Sequence, residues 1–379
     1  MKKVLYALII SVLFYGCKNR QENFTIDPKA TSETIALFNN LDLLSENHTL
    51  FAHQHATEYG HGWWSGEKGN EERSDVKSVC GSHPAMIGVD FGDITHGTKA
   101  QRSVAKERLR RNVVDTYNRG GVTTAAWHFS NPLSEGGFYW KDSVSIPSVK
   151  YLIPGGEANE LYKGILKDIA EWANSLKGKN GSLAPVIFRP YHEFDGSWFW
   201  WGKEHCTKDE FISLWKFTTS YLRDSLEVHN FLYAFSPDNN FKSEEGFLER
   251  YPGDEWVDMV GMDNYADMGR DRYAIDTAAM KLKIISDYAI KHQKLAAFTE
   301  TGLESIPDTT WWTETLLRTM RIHDLKMSYV LVWRNDIQSS THYYAPFPGQ
   351  VSAPNFMEFY NDDYTLFEND LENIYGHSD

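Results

Sequence analysis

Short apolar runs alternate with amphipathic stretches along most of the chain. The runs fall at 49–55, 84–91, 121–129, 184–193, 231–238, 257–265, 295–301 and 327–335. Several are apolar almost without interruption, the pattern of strands buried on both faces of a parallel sheet. Between them, apolar residues recur every three or four positions, which predicts helices. One set is Leu161, Ile165, Ile169, Trp172 and Leu176, another Phe211, Leu214, Trp215, Thr218 and Leu222, a third Ile275, Ala278, Leu282, Ile285 and Ala289. Thr207 and Glu210, three apart ahead of the second set, predict a capping box.

Eight β–α units predict an α/β protein of the (β/α)8 TIM-barrel type, in a single domain over 31–379 with long loops. An open doubly wound sheet is the rival, but it would carry a phosphate-binding GxGxxG after an early strand, and the sequence has none. Polar residues close six of the runs: His128, Glu193, Asp238, Asp263, Glu300 and Arg334. In a barrel, all six strand ends converge on one bowl; in an open sheet most would be scattered.

The first 16 residues change the cellular picture. Lys2 and Lys3 precede the mostly apolar run 4–15, too short to span a bilayer and of the length of a signal h-region. Gly16–Cys17 follows, as at a bacterial lipoprotein processing site. The segments expected are therefore a signal peptide at 1–16 and a lipid-anchored polar tether at 17–30, with Cys17 lipidated and the protein facing the periplasm or the cell surface. Phe14 and Tyr15 depart from the usual small-residue pattern, which leaves plain secretion as the alternative. Cys80 and Cys206 remain; they are expected at opposite barrel ends, as two unpaired thiols.

Charge excludes one class of partner. Lysines and arginines number 38 against 52 acidic residues, a net charge of −14, with no basic stretch for nucleic acid. A monomer is expected. Aromatics make up 14% of the chain, with 13 Trp and 20 Tyr, more flat amphipathic surface than a core needs.

The densest chemistry is RPYHEFDGSWFWWG, Arg189 to Gly202. It leaves the apolar run at 184–188 with Arg189, His192 and Glu193 close together and four aromatics after them. A carboxyl ringed by aromatics is desolvated, which raises its pKa and suits a general acid. Glu300, in AAFTETGLE, ends the seventh run and needs a partner or a function there. Two glutamates on strands four and seven face one bowl, and paired carboxylates are the machinery of glycoside hydrolysis. His53 and His55 lack the accompanying HExxH or Cys/His set, so they are read as a hydrogen-bonded barrel-end pair, with no metal and no cofactor expected. GxSxG is absent, against an α/β-hydrolase.

These motifs resemble glycoside hydrolase family 26, the β-mannanase family, in a bacterial lipoprotein form. RPYHEFDGSWFWWG and FTETG carry the likeness, supported by Trp127–His128, MDNYAD at 262–267 and Trp333–Arg334–Asn335 in the same order. The resemblance implies a retaining endo- or mannobiose-releasing hydrolase of β-1,4-mannans, a mannan endo-1,4-β-mannosidase. It implies Glu193 as acid/base and Glu300 as nucleophile, with Tyr265 bonded to the nucleophile and His192 orienting the pair. It also implies sugar-lining roles for His128, Arg189, Trp198, Asp263, Trp333 and Arg334. Mixed-linkage β-glucan and β-1,3-xylan are alternative substrates. A lipid-anchored glycan-binding protein on a degenerate barrel is a non-catalytic alternative, disfavoured by the presence of both glutamates. Trp63 and Trp64 extend the cleft or simply pack a loop, and the loop at 130–159 closes one cleft end or is a surface insertion.

Overall fold

The computed structural model describes residues 22–66, 72–142 and 145–376. The expected signal segment and Cys17 lie outside them. Among the described residues, eight strands form a closed parallel barrel: β1 (Thr49–Gln54), β2 (Met86–Asp90), β3 (Val122–Ala126), β4 (Val186–Arg189), β5 (Phe231–Phe235), β6 (Met259–Asp263), β7 (Leu295–Thr301) and β8 (Tyr329–Val332). Each pairs with the next, and β8 pairs with β1 through Leu50–Tyr329 to His53–Val332. Seven of the eight strands are shorter than their apolar runs, which continue past them into the flanking loops, while β7 matches its run.

Alternation along each strand creates two cores. Leu50, Ala52, Met86, Ile187, Leu232, Met259, Leu295 and Leu331 fill the barrel interior. Phe51, Ile87, Phe188, Tyr233, Phe298 and Val330 point outward to the helices. Helix Ser32–Leu44 adds Leu37, Phe38 and Leu41 to the interior cluster and so plugs the N-terminal end of the barrel.

Ile26 and Asp27, within the polar stretch at 17–30, are held against the barrel. The Ile26 N–H donates to Asp258 Oδ1 at 2.7 Å, and Asp27 pairs with His229 at 2.7 Å. Asp258 immediately precedes β6 and His229 lies two residues before β5, so this segment is fixed at the barrel end opposite the bowl.

Helix Lys208–Ser220 opens with the expected capping box. Helix Asn159–Ala173 departs from expectation. It buries Tyr162, Leu166, Ile169 and Ala170, whereas Leu161 is 49% exposed and Leu176 lies beyond its end. Tyr162 takes the inner position because its ring fills the core and its hydroxyl meets Tyr191 and Thr218. Cys80 and Cys206 are free thiols. His53 and His55 are not bonded to one another. His55 pairs with Glu58 at 2.8 Å, and burial pushes the His53 pKa down to about 3.

Candidate active site

Loops at the C-terminal strand ends enclose a cavity of about 690 Å³. His128, His192, Glu193, Trp198, Tyr265, Glu300 and Trp333 line it, seven of the residues expected there. They come from the ends of strands β3, β4, β6, β7 and β8, and only closure of the barrel brings them together.

Glu300 reaches the bowl through a local irregularity. Along β7, Leu295 and Ala297 face the barrel interior while Ala296 and Phe298 face the helices. Strict alternation would turn Thr299 inward and Glu300 outward. The pairing with β6 instead jumps from Met262–Phe298 to Asp263–Glu300, and that with β8 from Val330–Phe298 to Val332–Thr301. Both neighbours thus register one extra residue on β7, a bulge that re-aims the side chain. Thr299 still points inward and donates its hydroxyl to Asp263 Oδ1 at 2.7 Å.

Two donors then fix the Glu300 carboxylate, one on each oxygen. The Arg189 guanidinium bonds Oε1, and the Tyr265 hydroxyl donates to Oε2 at 2.9 Å. Arg189 also bonds Asp263 Oδ2 at 2.7 Å and Ser236 Oγ at 3.1 Å. Burial would lower the arginine's pKa, but the carboxylates of Asp263 and Glu300 outweigh it and keep the guanidinium charged. Burial raises the Tyr265 pKa, as do Glu300 and its neighbours, so its hydroxyl stays a donor. Arg189 and Asp263 were expected to line the sugar subsites. They lie instead beneath the cleft surface, 2% and 0% exposed, where an ion pair is shielded from water and positions Glu300 from below. Arg334 also lies outside the cavity wall proper, paired with Asp336 at 2.8 Å at its β8–β1 border.

Glu193 lies four residues past the end of β4, in a segment where Tyr191 and Glu193 itself take left-handed backbone angles (φ 50° and 54°). Its N–H is tied to the Ser236 carbonyl at 2.9 Å. Gly196 lets the chain fold back under Trp198, since a Cβ there would meet the indole at 2.3 Å. The Trp198 N–H consequently reaches Glu193 Oε2 at 2.6 Å. Burial, then the charges of Asp263, Glu300 and Asp238, hold the Glu193 pKa well above the usual carboxylate range. Behind it, His192 is kept neutral by burial and by the nearby Arg189 guanidinium. His128 is oriented by Asp90 through Nδ1 and lies 5.5 Å from the Trp333 ring centre. One bowl thus holds a carboxyl inclined to keep its proton and a carboxylate gripped by two donors, the division of labour that acid-assisted displacement requires.

His192, Asp263 and Glu300 also place ligand-type atoms within 4.8 Å of one another. The Arg189 guanidinium bonds both carboxylates of that set, so it supplies the positive charge a cation would bring.

Several wall residues escaped the sequence reading. Tyr139 enters from the loop after β3, which is stitched to the loop after β4 by the Tyr139–Phe199 bridge and by the Trp140 N–H to Trp198 carbonyl bond at 2.6 Å. Its run, Phe138–Tyr139–Trp140, was the available signal. Asn239, Asn240, Arg270, Asp271, Arg272, His342 and Tyr344 also line the cavity, without any motif to mark them.

The family model for glycosyl hydrolase family 26 matches residues 26–342. The chain belongs to that family. Family 26 proteins of known structure share its whole architecture. One, GH26C from Muricauda sp. MAR_2010_75, is 39% identical with a TM-score of 0.86, covering 93% of this chain and 96% of that one. Another, a GH26 beta-mannanase from Bacteroides ovatus, is 42% identical with a TM-score of 0.84, covering 92% and 98%. A mannan endo-1,4-beta-mannosidase of Bifidobacterium adolescentis is 35% identical over 285 residues, 73% of this chain but 27% of the relative's length. A Bacillus subtilis protein of the same name is 27% identical over 80% of this chain and 81% of its own.

Proposed function

We propose that the protein is a retaining β-mannanase that hydrolyses β-1,4-mannosidic linkages. The observation that carries the reading is the contrast between Glu193 and Glu300 across one family 26 cleft. The mannanases among its relatives support the substrate. Glu300, gripped by Arg189 and Tyr265, attacks the anomeric carbon while Glu193 gives its proton to the departing glycosidic oxygen, which leaves a glycosyl-enzyme. Glu193, now a carboxylate, takes a proton from water, and that water displaces Glu300 and releases the sugar with net retention. His192, buried against Arg189, holds Glu193's surroundings, while His128, Trp198 and Trp333 contact the sugar chain and Arg334 stands at the cleft's border. Export as a lipoprotein anchored through Cys17 completes the reading.

Proton NMR of a mannohexaose digest by the purified protein tests both halves. The β-anomer should form first, and mannohexaose should be cleaved faster than lichenan. An α-anomer formed first would mean inversion, and preference for lichenan would move the substrate to mixed-linkage glucan.

A further inference from the structure

The loop after β1 carries a hairpin whose purpose the catalytic bowl does not explain. Its strands, Tyr59–Gly60 and Trp63–Trp64, pair Tyr59 with Trp64 and Gly60 with Trp63. Residues directly opposite in an antiparallel pair project from the same face. Gly60 and Trp63 face inward. Trp63 is buried, its N–H donates to Asp75 Oδ1 at 2.6 Å, and a Cβ on Gly60 would meet Asp75 Oδ2 and the Trp63 Nε1 at 2.3 Å. The same buried Asp75 accepts from the His61 N–H at 2.7 Å and from Asn335 Nδ2 at 2.8 Å. Asn335 directly follows Trp333 and Arg334, so one carboxylate clamps the hairpin to the end of β8. His61 adds a parallel stack on Phe347 with ring centres 3.9 Å apart.

The other face presents Tyr59 and Trp64. The Tyr59 hydroxyl bonds the Arg334 side chain at the border of the cleft, and its ring stacks on His55. Trp64, beside it, is 52% exposed, and its side chain makes no ring contact or hydrogen bond among the described residues. A large indole is therefore held out to water by a rigid support that is pinned to the end of β8 beside Trp333 and Arg334. A flexible surface loop would need neither the shared carboxylate nor the glycine.

We propose that Trp64 is the stacking platform of an outer sugar subsite at the β8–β1 end of the cleft, occupied by a hexose unit of a β-mannan chain too long for the central bowl. The ligand class rests on the β-mannanase reading; the subsite rests on the hairpin. Trp64→Ala and Trp64→Phe are compared with wild type on mannotriose, mannohexaose and galactomannan, with thermal melting as a folding control. An aromatic platform covered by a bound sugar contributes enough that Trp64→Ala should lower kcat/KM on the two long substrates roughly five- to tenfold, with mannotriose within about twofold of wild type and Trp64→Phe largely rescued. An unchanged rate on mannohexaose would overturn the subsite, and so would equal losses on mannotriose and mannohexaose, which would mean that the residue only supports Arg334. If wild type cleaved no mannan, the functional reading would fall by itself. Migration through galactomannan-containing native gels then judges Trp64 separately: retardation of wild type that is lost in Trp64→Ala supports the subsite, and equal migration of the two overturns it.

Discussion

At the scale of single residues, the two glutamates are distinguished by their neighbours. Among the described residues Glu193 has one side-chain donor, the Trp198 indole, and several negative charges around it, whereas Glu300 has a guanidinium and a phenol hydroxyl. A general acid matters in proportion to how badly the leaving group needs a proton. Glu193→Ala is therefore expected to lower turnover of mannan by roughly 10²–10⁴-fold. On a dinitrophenyl β-mannobioside the first step should survive, a burst should appear, and azide should restore turnover with a β-mannosyl azide as product. Equal losses on both substrates, with neither burst nor rescue, would leave Glu193 a structural residue. The pH dependence follows in sign. The acid must be protonated, so kcat/KM on mannan should fall as pH rises through Glu193's raised pKa, and that limb should vanish for Glu193→Ala on the dinitrophenyl substrate.

At the scale of elements, local rules and tertiary demands contribute separately. The capping box of helix Lys208–Ser220 is a local device. Thr207 Oγ1 accepts from the Glu210 N–H at 3.2 Å, and Glu210 Oε2 accepts from the Thr207 N–H at 2.8 Å. Thr207→Ala should cost about 1 kcal/mol of stability, read as a lower urea midpoint at unchanged slope, with kcat unaffected. A change in kcat would show that this helix reports to the cleft through the loop at 189–202 that precedes it. The β7 bulge is the opposite case. Nothing in AAFTETG announces an extra residue, and the sequence alone would alternate Glu300 away from the bowl. The helix at 159–173 fails in the same way, because adjacent Leu161 and Tyr162 both satisfy an apolar period and only the packing of Tyr162 against Tyr191 chooses between them.

At the scale of the whole molecule, the N-terminal segment and the cleft lie at opposite ends of the barrel. Ile26 and Asp27 are fixed beside the residues that lead into β5 and β6, while the bowl opens at the far ends of the same strands. A lipid on Cys17 would thus hold the barrel by its closed end, with the cleft turned away from the membrane. Full-length protein made in a bacterium with lipoprotein processing should partition into detergent, and Cys17→Ala should not. The anchored form should also digest galactomannan as fast per molecule as a form lacking residues 1–21. Wild type found freely soluble would return the segment to an ordinary secretion signal.

The order of strands, the barrel and the motif residues Arg189, His192, Glu193 and Glu300 were legible in the linear chain. Each depends on local quantities: apolar runs of strand length, helical periods between them, and charged residues at strand ends where a buried sheet tolerates few. What the linear chain could not contain is where those side chains point and what covers them. That Arg189 and Asp263 sit beneath the cleft, that a bulge turns Glu300 inward, and that one carboxylate on Asp75 holds Trp64 out to solvent are all contacts between residues far apart in sequence. Closure of the barrel decides them, because only there do desolvation and ion pairing act on residues from five different strands at once.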